Sequence, residues 1–475
     1  MSCSLPNDIL LLVGEFLEDH QDRYNLLFVC NRFCGLFRRL VYRHAALKNC
    51  DQIRAFLTAI LPHPELARAV RSLDFDQWQL KPATSVPQAG GSRCKDDMVL
   101  FRDWAREISQ SEEEYVRWEQ DLLHDVEEAW IALLLPLVRN VKRLRLVYPK
   151  QNVYLDRTMQ RAVRGEKPFH LQPALRSLQE VSLGHLERED DDAQGTFVPS
   201  QIAPFFQFPS LRVITAESVI ESASTQEDED QSPMDAGPLS GISEIVLNSS
   251  SGANGMNGLL AACASLTTFK YQHSDAQLLS EGYRPSAFCR SLARSRHRHT
   301  LRTLWLDTCG HHLPFTIAGA NMTHDEWFGS LADFPALQNL RIRLPNLVDI
   351  RYQAEPSVPL TEILPAGLES LYVEGCKETA LGMLVAQLKL VLGKRGSRFR
   401  GLKRLEIEGL FHDEEDSEDS SGSGGSAPAG NETLTLTDSV IRPRVYGMVE
   451  PLRTACAEAG VELFVRDRAC LQTMT

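Results

Sequence analysis

No CxxC pair occurs among the 11 cysteines of this 475-residue chain. Neither a zinc ribbon nor a disulfide framework is therefore expected. The nearest pair, Cys30 and Cys34, sits at helical spacing in an apolar run and reads as core. Long apolar stretches are also missing: none reaches the roughly 18 residues a membrane span needs. The run at 9–13 lacks a basic leader and is flanked by Asp8 and Glu15, so no secretory signal is read. The expectation is an intracellular protein, of cytoplasm or nucleus. Positive charge is short, with 50 Lys and Arg against 63 Asp and Glu and a net charge of −13. A nucleic-acid or anionic-membrane partner would need a basic footprint, so neither is expected.

Catalytic motifs are missing too. Gly393-Lys394 lacks the upstream glycine and the following Ser/Thr of a phosphate loop. Gly252, Gly255 and Gly258 have no strand-to-helix context. Ser423 lies in a Ser-Gly stretch where no oxyanion hole could be held. His297, His299, His311, His312 and His324, with Cys309, lack any HExxH or Cys₂His₂ spacing. The basic residues Lys394, Arg395, Arg398, Arg400, Lys403 and Arg404 read as a solvated face or a partner for an acidic protein. The chain therefore reads as a non-enzyme with no catalytic residue, no cofactor and no metal.

What is present is ordinary folded composition, 43% hydrophobic and 24% charged, long enough for several domains or one repeat array. Residues 1–47 form a small helical unit. Leu5-Pro6-Asn7-Asp8 is a helix start, and Ile9, Leu10, Val13, Phe16 and Leu17 read as one apolar face. A polar stretch at 18–25 follows, then Leu26, Leu27, Val29, Cys30, Phe33, Leu36, Phe37, Leu40 and Val41. So small a bundle has more apolar side chains than it can bury alone. These residues resemble the F-box: Leu5-Pro6, Ile9-Leu10, Val13, Phe16-Leu17, Leu26-Leu27, Val29-Cys30-Asn31-Arg32-Phe33 and Leu36. Phe33 stands where the family often has tryptophan, and Val41-Tyr42-Arg43-His44 is similar to fungal members. The resemblance implies docking onto the adaptor of an SCF-type (cullin–RING) ubiquitin ligase, and through it to cullin. The contact residues it implies are Leu5, Pro6, Ile9, Leu10, Val13, Val29, Cys30 and Phe33.

Residues 48–140 read as a helical linker. A short helix at 53–61 stops at Pro62, and a Pro/Gly loop occupies 81–93. Ser111 and Glu114 form a capping box before one long helix through Trp118, Leu122, Val126, Trp130, Leu133, Leu134 and Leu137.

From 141 to 410 the chain repeats the pattern apolar-x-x-apolar-x-apolar. Copies are Val141-Leu144-Leu146, Leu178-Val181-Leu183, Leu211-Ile214-Ala216, Ile242-Ile245-Leu247, Leu266-Phe269-Tyr271 and Leu301-Leu304-Leu306. Leu337-Leu340-Ile342, Leu368-Leu371-Val373 and Leu402-Leu405-Ile407 follow, and Val70-Leu73-Phe75 precedes them all. The repeat averages about 33 residues. It resembles the leucine-rich repeat, with two copies reaching that family's cysteine position at Cys309 and Cys376. The expected fold is α/β: a small N-terminal helical F-box, a helical linker, and a leucine-rich-repeat-like α/β solenoid with helical returns such as 258–265 and 381–392. Acidic loops at 187–192 and 221–237 interrupt it. A disordered acidic, then Ser-Gly-rich insert is expected at 411–431. A closing helix at 446–459, stopped by Gly460, and a strand with Val461, Leu463 and Val465 fill 432–475.

Together the resemblances imply a substrate-recognition subunit, with the ligase adaptor on the F-box and an unknown target protein on the concave face of the repeats. An F-box-bearing scaffold acting outside the ligase stays open. Position 5 of each unit lies between the core positions 4 and 6, so it points away from the core. Three successive units place Trp305, Arg341 and Tyr372 there, residue types frequent at binding hot spots. Lys270, Arg343 and Glu374 are expected to line the edge of this patch, with Glu406 beyond it.

Overall fold

The computed structural model describes residues 5–17, 19–75, 78, 95–149, 152–185, 195–222, 239–274, 283–294, 296–308, 326–350, 355–409, 411 and 441–467. The chain forms two compact units. The first is Met1–Ile220, Glu227–Asn248 and Ala262–Ala264; the second is Glu221–Gln226, Ser249–Ala261 and Ser265–Thr475. The repeat span 141–410 is thus divided between them.

The first unit opens with helices Asn7–Phe16, His20–Asn25 and Asn31–Val41. Its strands are β1 (His44–Ala46), β2 (Ser72–Asp74), β3 (Arg143–Tyr148), β4 (Glu180–His185) and β5 (Val213–Glu217). Next come the two-residue β6 (Ile220–Glu221) and β7 (Glu244–Gly252), of which 244–248 belong here. Neighbours are parallel, and their register aligns Leu73, Leu144, Val181, Ile214 and Ile245. Leu146, Leu183, Ala216 and Leu247 form the second inward row, and both rows are buried. The apolar repeat positions therefore set the strand register, because a one-residue slip would turn every core side chain outward.

The second unit carries β8 (Thr268–His273), β9 (Thr303–Thr308), β10 (Asn339–Arg343), β11 (Ser370–Cys376), β12 (Arg404–Gly409) and β13 (Glu462–Asp467). All pairs are parallel, aligning Phe269, Leu304, Leu340, Leu371, Leu405 and Leu463. One hydrogen-bond device recurs in both units. The carbonyl just ahead of a strand accepts two consecutive N–H groups of the next repeat: Lys142 from Gln179 and Glu180, Gln179 from Arg212 and Val213, Arg302 from Gln338 and Asn339. Gln338 does the same for Glu369 and Ser370, and Glu369 for Lys403 and Arg404. Each turn is thereby fixed to the one before it, with no backbone donor stranded at the entry to the strand.

Several expectations need correction. The long helix after Ser111 is two, Glu112–Leu123 and Glu127–Leu134. Asp125 between them adopts a left-handed φ of 57°, which Asp tolerates better than most residues. The return at 258–265 is helical only over Asn257–Ala261, and β4 returns to β5 through Pro199–Ile202 and a 3₁₀ turn at Ala203–Gln207. Prolines at 199 and 204 remove the donors a longer helix would need. Helices Glu378–Gly393 and Pro443–Ala459 are full-length returns, the latter ending at Gly460 with φ 64°. Phe411 is no part of a disordered insert: it is buried, its N–H donates to Asp467 Oδ2 at 2.7 Å, and its carbonyl accepts from Arg442 N–H at 2.9 Å. The rest of that insert, the loop at 81–93 and the acidic loop at 187–192 lie outside the described residues. So does the acidic stretch at 221–237 beyond Ser222. Among the described residues no helix is long and apolar enough to cross a membrane.

Candidate functional site

Each unit has one face where apolar or aromatic side chains stand uncovered. In the first it is the outer side of helix Asn7–Phe16 and the segment after Phe28. Leu5, Ile9, Leu12, Val13 and Phe28 are exposed, with Phe16 at 77% and Val29 at 61%. Pro6 and Cys30 are exposed as well, and Phe33 is half-buried against Phe37, ring centres 5.2 Å apart.

Leu10 departs from the expected set. At about 100° per residue, the apolar positions divide into two faces. Leu10 and Gly14 turn inward while Ile9, Val13 and Phe16 turn out. A Cβ at Gly14 would come within 2.6 Å of the Phe37 ring. Leu10 therefore anchors the helix and is not presented. Arg32 has a role that apolar periodicity does not signal. Its Nη2 donates to the Leu5 carbonyl at 2.5 Å and to Asn7 Oδ1 at 2.7 Å, and Nε donates to the same oxygen at 3.0 Å. This clasp holds Leu5 and Pro6 beside the start of helix Asn31–Val41.

In the second unit the site is the open face of the sheet. The register aligns Lys270, Trp305, Arg341, Tyr372, Glu406 and Phe464 on six adjacent strands. Lys270 Nζ lies 4.5 Å from the Trp305 ring centre. Arg341 lies between two rings, its Cζ 5.8 Å from that of Trp305 and 4.6 Å from that of Tyr372. Arg404 and Arg466 stand 4.3 and 5.7 Å from Phe464. Contacts of this kind contribute about 0.5–2 kcal/mol each, more when desolvated.

Carboxylates set the geometry of these cations. Arg341 pairs through Nη2 with Asp307 at 2.9 Å and through Nε with Glu374 at 2.9 Å. Glu406 takes Arg404 at 2.7 Å and Arg466 at 3.0 Å. The Tyr372 hydroxyl donates to Glu408. Burial disfavours the charged guanidinium of Arg341, but Glu374 and Asp307 outweigh it and raise its pKa. Burial pushes the Glu374 carboxyl well above its ordinary range, with Asp307 adding to the shift.

Trp305, Arg341, Tyr372 and Lys270 are thus neighbours. Arg343 aligns with Glu374 across β10 and β11. Glu374 corrects an expectation: it is 1% exposed and forms no accessible rim. Glu406 is buried as well. Both point to the open face, as alternation requires, and are covered there by neighbouring side chains. His297 is likewise structural. Its Nε2 pairs with the Leu260 carbonyl at 2.8 Å, and its Nδ1 accepts from Leu266 N–H at 3.2 Å. Burial lowers its pKa, so it sits neutral. His311, His312, His324 and Cys309 lie outside the described residues. Among the described residues no cluster of His, Cys, Asp and Glu could hold a metal ion.

A family model described as a leucine-rich repeat domain matches residues 49–399. No curated protein matches the chain.

Proposed function

The chain belongs to the leucine-rich repeat domain family, and on that premise we propose that it is a non-catalytic receptor that brings a target protein to a ubiquitin ligase. The target occupies the open face of the second unit, around Trp305, Arg341 and Tyr372. The N-terminal helices dock the ligase adaptor in the manner of an F-box. Its chemistry is proximity: a held target meets the ubiquitin-charged enzyme at raised effective concentration, with no nucleophile from this chain.

The observation that carries the adaptor half is the uncovered strip Leu5, Ile9, Val13, Phe16 and Val29. Exposed apolar patches of this kind, rimmed by polar residues, mark interaction sites. The Arg32 clasp supports it by fixing the Leu5-Pro6 edge. The test is Leu5→Ala, Pro6→Ala and Ile9→Ala combined. Adaptor co-purification is expected to be lost while the far-UV circular dichroism stays unchanged; retained adaptor sinks the assignment. The second reading, an F-box-bearing scaffold outside the ligase, is separated by whether cullin co-purifies along with the adaptor.

A further inference from the structure

We propose that the open face of the second unit recognises a proline-rich segment in the polyproline II conformation, laid across the strands with an apolar residue on Trp305, Tyr372 and Phe464 in turn. This rests on the reading of that face as the target site.

Row five carries an aromatic ring on every second strand: Trp305 on β9, Tyr372 on β11 and Phe464 on β13. Neighbouring strands lie about 4.8 Å apart, so the rings recur about every 9.6 Å. A polyproline II helix has three residues per turn at about 3.1 Å each, which repeats a side every 9.3 Å or so. Over two steps the mismatch stays under ~1 Å. An extended β segment repeats a side about every 6.8 Å and falls out of phase with the second ring. Two turns of α-helix span about 10.8 Å and drift by more than ~2 Å over the same two steps.

The chemistry of the row agrees with that backbone. Polyproline II has no internal hydrogen bonds, so its carbonyls need outside donors. Trp305, whose indole N–H is a donor, is 37% exposed. On the same strands Thr303, Asn339 and Ser370 supply small half-buried polar groups one alternation away. Arg341, held by Asp307 and Glu374, lies between the Trp305 and Tyr372 rings. It keeps them apart with its own charge already compensated, so the surface does not demand an anionic partner. Aromatic-lined grooves that read proline-rich segments use this combination of spaced rings and outward donors.

The test is fluorescence anisotropy with the full chain and two labelled peptides of about twelve residues and equal composition. One has its prolines spaced three residues apart, the other has the same number of prolines spaced two apart. The third-position peptide is expected to bind wild type at least tenfold more tightly than the other. Trp305→Ala should weaken it about tenfold, and Trp305→Phe, which keeps a ring but loses the donor, by less. Thermal melts and circular dichroism check that both variants fold. Equal binding of the two peptides, or none, overturns the inference. If neither binds and the proteins labelled around wild type vanish with Trp305→Ala, the face is the target site but its occupant has another backbone. If those proteins persist, the target-site reading falls as well.

Discussion

The two units solve the same folding problem and decorate it differently. In the first, the outward row reads Asp74, Arg145, Ser182, Thr215 and Val246, with no ring in it. In the second, the same row reads Lys270, Trp305, Arg341, Tyr372, Glu406 and Phe464. Strand pairing and the inward rows are alike, so the difference is not a requirement of the fold. The repeat constrains positions 1, 4 and 6 and leaves the open face to vary. The first unit keeps its buried charges among helices: Glu114 pairs with Arg161, and Glu128 accepts N–H groups of Val153, Tyr154 and Leu155. The second spreads its buried charges over the sheet face, where they position rings.

The largest expected effect comes from breaking the first arrangement. Glu114 accepts from Arg161 Nη1 at 2.7 Å and Nη2 at 3.0 Å and from Gln110 N–H at 2.9 Å, with Arg157 at 3.6 Å. Glu114→Ala leaves two guanidiniums half-buried without their counter-ion, a loss of about 3–5 kcal/mol. Urea unfolding at neutral pH measures it; a loss under about 1 kcal/mol would show that the network contributes little.

The pH response should run in opposite directions at the two carboxyls. Burial tends to raise the pKa of Glu114, but the hydrogen bonds from Arg161 and Gln110 outweigh it, and the net shift is down. Its stabilisation is therefore present above the unfolded value, about 4.3, and is lost as pH falls through the folded one. Glu374 is shifted up, by burial first and Asp307 next. Its contribution is present below the unfolded value and is lost as pH rises through the folded one. Glu374→Gln should accordingly gain stability over wild type at pH 8 relative to pH 5, in parallel urea titrations. An unchanged difference would mean that Glu374 is charged in the folded protein.

Direction was legible in the sequence; coverage was not. Alternation within each repeat placed Leu304, Leu306, Leu340 and Ile342 inward and aligned Trp305, Arg341 and Tyr372 outward, as the register has them. The same rule turned Glu374 and Glu406 outward, and they do face that side. Their burial comes from Arg341 over Glu374 and Arg466 beside Glu406, guanidiniums on adjacent strands that no single segment encodes, and for Glu406 also from Arg404 on its own strand. Leu10 shows a related limit: adjacent apolar residues on a helix cannot share one face. The Asp125 break and the Arg32 clasp depend on partners far along the chain. Arg54 pairs with Asp125, and Arg32 reaches back to Leu5.

The smallest effect compares two outward cations, one from each unit. Arg145 pairs with Asp74 at 3.7 Å, the arginine exposed and the aspartate half-buried. Such a pair contributes about 0–1 kcal/mol and is screened at 1 M salt, where the Debye length is about 3 Å. Lys270 instead lies over the Trp305 ring at 4.5 Å, a contact of about 0.5–1 kcal/mol at exposed sites. Its methylene stem also covers apolar surface, and salt does not weaken that part. Arg145→Ala should cost at most a few tenths of a kcal/mol at low salt and nothing at 1 M. Lys270→Ala should cost about 0.5–1 kcal/mol, much of it surviving high salt. Urea midpoints at low salt and at 1 M salt decide between them. If the Lys270 cost disappears with salt as fully as that of Arg145, the lysine acts as a plain surface charge and the contrast between the two rows narrows to the aromatic rings alone.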